Sequence, residues 1–393
     1  MTKRKTVFLV VSVLSMGVIL TSGLFGQSVS RDNIYRHLSI FTEVFSLVRS
    51  NYVEEVPSEK LVDGAFTGVS DAIDEASYYV PPAKMAKYKA RKNPDGVGLG
   101  VVLSKRFGYG VVVAPVVGSP ADKAGVEAGD ILEEINGKQS QNLAAWEMRE
   151  ELGGSKTSSI TVLRSGMSKR EKLTLTPAPF KAPVPSLEKI GAVHLLKVPY
   201  FEVGTAELVK KQLADVATQN GRKLLLDLRG NAGGSYEEAI ATADMLLSKG
   251  RIASTLGRRV EPKVWDADTA TAFAGELIVL VDPSVSGPAE IVAAALHGGQ
   301  RARVVGLATN GNTSIQKFVI LPSGGGLNVT IGNYAGPDGK VIGERGVRPD
   351  VLVDISSLTD EEEKNRKEDL ILRKGLTLLG ETSLPSAVAR VAA

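Results

Sequence analysis

The chain of 393 residues is long enough for two or three domains with substantial cores. Its composition, 43% hydrophobic and 23% charged, excludes wholesale disorder. With 47 basic and 44 acidic residues the formal charge is only +3, so we expect no nucleic-acid partner. The lack of cysteine excludes disulfides, a thiol nucleophile and thiolate metal sites, and with only three histidines we expect no metal and no cofactor.

The N-terminus has the pattern of an export segment. Lys3, Arg4 and Lys5 precede about 20 mostly apolar residues that end near Gly26. This pattern predicts a signal peptide or an uncleaved membrane anchor, and both alternatives stay open. Since positive residues remain on the cytoplasmic side, we expect the rest of the chain in the periplasm or cell envelope, with the membrane as a contact of the N-terminal segment.

Residues 33–92 are predicted to be helical. Apolar residues recur at spacings of three and four from Ile34 to Val53. The same pattern returns from Leu61 to Ile73, after a break at Val56-Pro57. Such spacing is typical of amphipathic helices.

Residues 94–177 indicate a compact β-rich module. Strands are predicted at Val101–Leu103, Val111–Val113, Ile131–Ile135 and Ser159–Arg164, with a helix at Leu143–Leu152. A proline-rich linker then leads to residue 186.

A glycine-rich motif, GVGLGV, ends at Val101 and stands directly before the first of these strands. A dinucleotide-binding loop follows a strand and opens a helix, so this position excludes that function. Gly98, Leu99, Gly100 and Val101 are instead predicted to present backbone N–H groups to the terminal carboxylate of a peptide added as an extra strand. With GSPADKAGVEAGD downstream, the module resembles a PDZ domain.

Strand and helix signals alternate between residues 186 and 356, which favours an α/β core with parallel strands. A hairpin of Phe318–Leu321 and Leu327–Ile331 is expected as an addition to this core. Residues 357–393 are predicted to hold a last helix, opening at Thr359, and a tail. The core strands are predicted at Val193–Val198, Lys223–Leu228 and Glu276–Val281, and its helices at Thr205–Gln219, Tyr236–Leu247 and Pro288–His297.

The stretch LLLDLRGNAGGSYEEA combines a buried strand, a glycine-rich loop and a helix. Loops at the carboxyl ends of strands are the usual ligand edge of α/β sheets. Gly233 and Gly234 are therefore candidates to aim their amides at an oxyanion, and Asp227 and Arg229 are candidates to brace the loop by pairing.

Four motifs in this order behind the PDZ-like module resemble the carboxyl-terminal processing, or tail-specific, serine peptidases: DLRGNAGG, PAEIVAAAL, TNGNTSIQ and GVRPDVLVD. The resemblance implies a mixed α/β peptidase core with an inserted β-rich PDZ domain and a helical N-terminal region. It also implies a serine nucleophile at a helix start, a lysine general base, a glutamine that orients the lysine, and a PDZ domain that selects substrate tails.

The motif positions carry other residues in this chain. Matching PAEIVAAAL to the family places the nucleophile position at Gly287, and matching TNGNTSIQ places the lysine position at Asn312. Gln316 matches the family's glutamine. Gly287, Pro288 and Glu290 nevertheless keep the pattern of a helix start, with Glu290 predicted to cap back.

Neighbouring residues are poorly placed to substitute. Ser286 stands one residue early, and Lys317 should face the opposite side of an extended strand from Asn312. His297 is predicted to pack or to face solvent.

Three hypotheses stay open at this point. The first is a non-catalytic protein that binds peptide or protein C-termini and acts as an adaptor or on a partner protease. The second is an active serine endopeptidase that uses Ser286 as a shifted nucleophile. The third is a structural homo-oligomer, since members of the similar family assemble through their helical ends.

Overall fold

The computed structural model describes residues 28–90, 98–153, 156–164, 170–268, 270–343, 345–354 and 369–382. The chain divides into two compact units, one ending at Gly68 and the other beginning at Val69. The predicted segment at residues 1–26 and the predicted helix start at Thr359 lie outside the described residues. None of the helices in the described part combines the length and hydrophobicity that a membrane span requires.

The first unit contains helix α1 (Ser28–Asn51) and most of helix α2 (Ser58–Asp71), so the two predicted amphipathic helices are confirmed. Helix α1 carries an apolar stripe that is exposed within the chain: Leu38, Phe41 and Val44 are 54%, 46% and 54% exposed.

The β-rich module contains an antiparallel sheet in the order β2-β3-β4-β6-β7, with the short β5 beside β4. Strand β2 lies at the edge of this sheet, and helix α5 packs against β2. The polar sequence of β7 explains why no strand is predicted there: β7 forms the opposite, mostly exposed edge. The elements are β2 (Val101–Arg106), β3 (Tyr109–Pro115), α4 (Pro120–Lys123), β4 (Ile131–Ile135), β5 (Lys138–Gln139), α5 (Ala145–Glu151), β6 (Ser158–Leu163) and β7 (Arg170–Leu175).

The α/β core is a six-stranded sheet in the order β17-β14-β13-β10-β9-β8, parallel except for the antiparallel pair β8–β9. Helices α6, α7 and α8 cover one face, and α9 covers the other. The elements are β8 (Ser186–Ile190), β9 (Val193–Lys197), α6 (Thr205–Thr218), β10 (Lys223–Asp227), α7 (Tyr236–Leu246), β13 (Glu276–Val281), α8 (Pro288–Gly298), β14 (Arg303–Gly306), β17 (Val351–Leu352) and α9 (Leu370–Leu378).

Strand β10 shows why its sequence is a continuous apolar run. Leu224 and Leu226 pack into the cluster under α6 to α8, whereas Leu225 points to the cluster under α9. All three side chains are fully buried, because a central strand covered on both faces has no solvent side.

The predicted hairpin forms, but it is not added to the core sheet. Its strands β15 and β16 belong to a separate antiparallel sheet in the order β1-β16-β11-β12, in which β15 also pairs with β16. The ten-residue β16 is long enough to pair with three strands, two of which the sequence patterns do not predict. The elements are β1 (Tyr78–Val80), β11 (Gly250–Leu256), β12 (Val264–Ala267), β15 (Ser314–Ile320) and β16 (Gly326–Ala335).

An aromatic cluster holds the β-rich module against this third sheet. Tyr88, in helix α3 (Pro82–Ala90), stacks on Phe318 of β15 with ring centroids 4.7 Å apart. The rings of Tyr88 and Trp146 of α5 also form a T-shaped contact with centroids 5.5 Å apart. The Trp146 indole N–H donates to the Tyr79 carbonyl. Helix α5 is thereby fixed at one wall of the cleft described below.

Candidate functional site

The carboxyl ends of β10 and β13 meet at one edge of the core sheet, because these strands are parallel neighbours. The loops that follow them bind each other directly. The Ser286 N–H donates to the Asn231 carbonyl at 3.0 Å, and the Gly230 N–H donates to the Ser284 hydroxyl at 2.7 Å. The glycine-rich loop and the start of α8 therefore form one structure.

The predicted pairing of Asp227 with Arg229 is confirmed. The Arg229 guanidinium donates from Nη2 to Asp227 Oδ2 at 2.7 Å and from Nη1 to Asp369 Oδ1 at 2.8 Å. Asp369 also caps the N-terminus of α9. One arginine thus ties the end of β10 to the C-terminal helix.

Gly287 forms a sharp elbow between the β13 loop and α8. Its dihedral angles, φ 62° and ψ −118°, are ones that L side chains rarely adopt. A Cβ at this position would lie 3.5 Å from Tyr236 Oη and 3.7 Å from the Asn312 carbonyl, so a side chain would fit. A strained strand-to-helix turn of this kind is where α/β-hydrolases mount a nucleophilic serine. This chain has the elbow without the hydroxyl.

The Glu290 carboxylate is fully buried and joins the elbow to the loop that follows β14. Its Oε2 accepts the N–H groups of Gly287 at 3.0 Å and Asn312 at 2.9 Å. Its Oε1 accepts the Gly311 N–H at 2.6 Å and the Thr309 hydroxyl. Burial raises the pKa of Glu290 and these four donors limit the rise. We call these five residues the Glu290 clamp.

The predicted cap by Glu290 is confirmed by its bond to the Gly287 N–H. The clamp also determines the distance between positions 287 and 312, which the family resemblance implies as nucleophile and base positions.

Ser286 lines the cleft beside the elbow but is nearly buried, at 4% exposure. Its hydroxyl has one hydrogen-bond partner among the described residues, Asn310 Oδ1 at 3.5 Å. Ser284 is engaged elsewhere, since its hydroxyl donates to Asp282 and accepts from Gly230. Among the described residues, neither serine hydroxyl is hydrogen-bonded to a lysine or a histidine, and Ser286 has no carboxylate partner either.

Asn312 is the first member of a chain of polar side chains. Asn312 Oδ1 accepts the Ser314 hydroxyl at 3.0 Å, and the Ser314 oxygen accepts from Gln316 Nε2 at 3.0 Å. Gln316 also donates to Thr330 Oγ1 at 2.7 Å and accepts from Asn328 Nδ2 at 2.8 Å. Gln316 is therefore directed toward Asn312, with Ser314 between them.

The two remaining basic candidates lie away from the elbow. Lys317 follows Gln316 on β15 and is exposed, as the two-residue period of a strand predicts. His297 is in the last turn of α8, where its Nε2 lies 2.9 Å from Asp350 Oδ1. Neither side chain lines the cleft.

Gly233 and Gly234 both line the cleft opposite the elbow. Gly234 has φ 114°, and a Cβ there would lie 2.3 Å from the Phe201 carbonyl oxygen, so the position requires glycine. Within the described part of the chain, the Gly234 N–H has no hydrogen-bond acceptor, and the Gly233 N–H has only Asn231 Oδ1 at 3.4 Å. These amides are available to a ligand oxygen.

The predicted carboxylate loop is shaped by its buried contacts. Leu99 is fully buried, and Gly100 has φ 74° with no room for a Cβ, which would lie 2.1 Å from Ser119 Cβ. The Leu99 and Gly100 carbonyls accept from Ala121 at 2.9 Å and Val116 at 2.7 Å. The loop carbonyls are therefore held by the module itself, and Val101 begins the edge strand β2.

A single cleft of about 590 Å³ connects this loop with the elbow. Residues from both predicted functional regions line it, namely Gly100, Val101, Gly233, Gly234, Ser286, Gly287, Asn312 and Gln316. The two motifs that the sequence places far apart therefore share one binding surface.

Sequence reasoning missed two arginines beside this cleft. Arg106, at the end of β2, donates from Nη2 to the Asn310 carbonyl at 2.9 Å, although the two residues are far apart in sequence. Arg149 of α5 lines the cleft itself. The pattern of α5 marks Arg149 only as a charged helix residue, so no sequence signal points to either role.

Comparison with known proteins agrees with this architecture. Residues 189–353 match the model of peptidase family S41, and residues 111–160 match that of the PDZ domain. A carboxy-terminal-processing protease of Bartonella bacilliformis is 29% identical in an alignment of 365 residues that covers 89% of this chain and 83% of that protein. The carboxy-terminal processing protease CtpA of Bacillus subtilis is 25% identical over 353 residues, which are 88% of this chain and 75% of that protein.

Among solved structures, the photosystem II D1 C-terminal processing protease has the same fold. The TM-score is 0.66 at 23% identity, over 82% of this chain and 94% of that one. Fold and cleft together define a mixed α/β peptidase core that carries a PDZ domain. The chain is S41-like: its core matches peptidase family S41, it carries a PDZ domain, and it is similar over most of its length to carboxyl-terminal processing proteases.

We expect the substitution Glu290→Gln to lower the free energy of unfolding by about 2–4 kcal/mol. The NH₂ group of a glutamine would face N–H groups that now donate hydrogen bonds to the carboxylate. These N–H groups would then be unpaired inside the protein. Chemical denaturation monitored by circular dichroism measures the change. Glu207→Gln, at an exposed side chain of α6, is the matched control and should leave stability unchanged. Equal stability of Glu290→Gln and the control would contradict the role of the clamp.

Proposed function

We propose that this chain is a non-catalytic member of its family that binds protein C-terminal tails in the shared cleft, as an adaptor or as a regulator of a partner protease. One observation carries the proposal. The clamp, the glycine-rich loop and the carboxylate loop are all in place, while the two positions that should hold the reacting groups are Gly287 and Asn312.

The chemistry at these positions supports the loss of peptidase activity. Glycine has no atom that attacks a carbonyl, and the amide of Asn312 has no accessible basic lone pair. A nucleophile and its base act as a unit, and removing them costs on the order of a millionfold in turnover. A scaffold of this kind retains binding without significant hydrolysis.

Pro288 removes a third component of a serine peptidase site, one of the two N–H donors of the oxyanion hole. In hydrolases with a serine at such an elbow, the backbone N–H of the next residue forms half of the oxyanion hole. The next residue here is Pro288, which lines the cleft and has no N–H. The oxyanion site is therefore reduced to the Gly233–Gly234 side of the cleft.

The competing hypothesis, an endopeptidase that uses Ser286, requires a base. The contact of the Ser286 hydroxyl is the neutral Asn310 amide. The nearby Tyr236 hydroxyl does not serve either, because burial and the Glu290 carboxylate raise the pKa of Tyr236 above its ordinary value. The surroundings of Ser286 favour a structural role.

The β-rich module supports tail binding. Among the described strands β2 has one sheet neighbour, β3, so its other edge is available to an added strand. A tail whose terminal carboxylate meets the loop at Leu99–Gly100 would run back along β2 and toward the elbow. Main-chain hydrogen bonds would then provide affinity with little demand on sequence.

The same proposal places the protein outside the cytoplasm, in the periplasm or cell envelope. Its support is the basic and apolar N-terminal segment at residues 1–26. Association of copies through the helical region stays a prediction, which the exposed apolar stripe of α1 supports.

We expect peptides with a free C-terminal carboxylate to bind the purified chain at least about tenfold more tightly than the same peptides with an amidated end. The reason is that only the free carboxylate carries the charge that the loop amides would bind. Fluorescence anisotropy with labelled peptides of unstructured sequence measures both affinities. Equal affinity of the free and amidated peptides would remove the support for this function.

We expect the purified chain not to cleave a denatured protein substrate, and we expect Ser286→Ala to be indistinguishable from it. Mass spectrometry of the products after long incubation is the measurement. Gly287→Ala is the matched control, since it alters the elbow without removing a hydroxyl. Hydrolysis that Ser286→Ala abolishes and Gly287→Ala preserves would instead establish the endopeptidase hypothesis.

Restoring the serine nucleophile and the lysine base separates the effect of their loss on turnover from the effect of Pro288. We expect Gly287→Ser with Asn312→Lys to give at most weak cleavage, and the further change Pro288→Ala to raise turnover about 100-fold by supplying the missing N–H. Equal rates for the double and triple variants would show that Pro288 is not limiting. A triple variant that folds and yet is inactive would show that the remaining cleft is not a competent site.

A further inference from the structure

Arg149 is the one charged residue of α5 that has no partner in the described part of the chain. The three glutamates of the same helix are each paired with lysine: Glu147 with Lys84 at 2.6 Å, Glu150 with Lys87 at 3.0 Å and Glu151 with Lys138 at 2.6 Å. Arg149 instead lines the cleft, where its side chain is half-buried.

The surroundings of Arg149 restrict what its guanidinium can bind. The module's wall of the cleft is otherwise apolar near it, with Leu103, Val113 and Val116 among the lining residues. Among the described residues that line the cleft, the one acidic side chain is Glu202, which is exposed and forms no ion pair with Arg149. A guanidinium that lines such a groove is suited to a carboxylate, which it binds in a bidentate manner.

The direction of a bound tail follows from the sheet. The carboxylate loop precedes β2, so a tail that ends at this loop lies antiparallel to β2, with its upstream residues toward Arg106. Helix α5 packs against β2 and forms the opposite wall. In an extended strand every second side chain points to the same wall, so residues of one parity in the tail face Arg149.

We propose that Arg149 is a specificity-determining residue that selects tails with an Asp or Glu side chain at alternate positions near the C-terminus. The inference rests on the proposed tail-binding function and adds the chemical class of the tail. The terminal carboxylate is bound by the loop at Leu99–Gly100, and the side-chain carboxylate is bound by Arg149.

The test uses the full chain and a labelled neutral decapeptide with a free carboxylate, in which Glu or Gln is placed at each of the last four positions in turn. We expect Glu to bind about tenfold more tightly than Gln at positions of one parity and about equally at the others. Arg149→Gln should bring the ratio close to one, and Arg149→Lys should retain part of it, because lysine keeps the charge but not the bidentate geometry. The preference should weaken at high ionic strength.

Lys172→Gln is the matched control, since it removes one positive charge from an exposed position of β7, at the opposite edge of the same sheet. This variant should leave the Glu-to-Gln ratio unchanged. A ratio near one at all four positions, or a ratio that Arg149→Gln leaves intact, would overturn the inference. So would an Arg149→Gln variant that loses the difference between free and amidated peptides, because Arg149 would then bind the terminal carboxylate.

The two proposals fail separately. If free and amidated peptides bind the unmodified chain equally, tail binding itself is wrong. If the free peptide is preferred and Glu is not, tail binding stands and only the role of Arg149 is wrong.

Discussion

A buried carboxylate determines the geometry of this site. Glu290 is fully buried, and a charge in that position is tolerated only when hydrogen bonds replace the water it has lost. Its four donors come from the start of α8 and from the loop after β14, two segments that the chain must bring together for this purpose. The positions of Gly287 and Asn312 are therefore a condition of stability, whether or not any chemistry takes place between them.

This constraint explains how the elbow and the loop after β14 keep their geometry with glycine at position 287 and asparagine at position 312. An L residue at the dihedral angles of Gly287 is strained by about 1–3 kcal/mol, and glycine removes the strain. Proline at the first helical position fits α8 without loss of a helical hydrogen bond. Both residues suit the fold better than those a reacting site would need. Under the proposed non-catalytic function, these two residues exchange activity for stability, as stabilising substitutions at active sites often do.

The parts of the structure that sequence predicts are those that local patterns determine. The apolar run at Leu224–Leu226 predicts a strand buried on both faces, and the segment after Gly287 predicts a helix. The pairing of β1 with β16 and the contact of Arg106 with Asn310 join residues far apart in sequence, and no periodicity marks them. Arg149 shows the same limit at the site, because its place in the cleft depends on which face of α5 meets the cleft.

The remaining amides of the cleft have a different consequence in a binder than in an enzyme. In a peptidase, such donors accelerate the reaction because they bind the transition state more strongly than the substrate. Under the proposed function no tetrahedral state forms at Gly287. The Gly234 N–H, which has no acceptor within the described part of the chain, would then bind a peptide carbonyl in its ground state. Together with the available edge of β2, the Gly234 N–H would increase the residence time of a bound tail. Under the proposed function, the cleft therefore holds a tail and does not cut it.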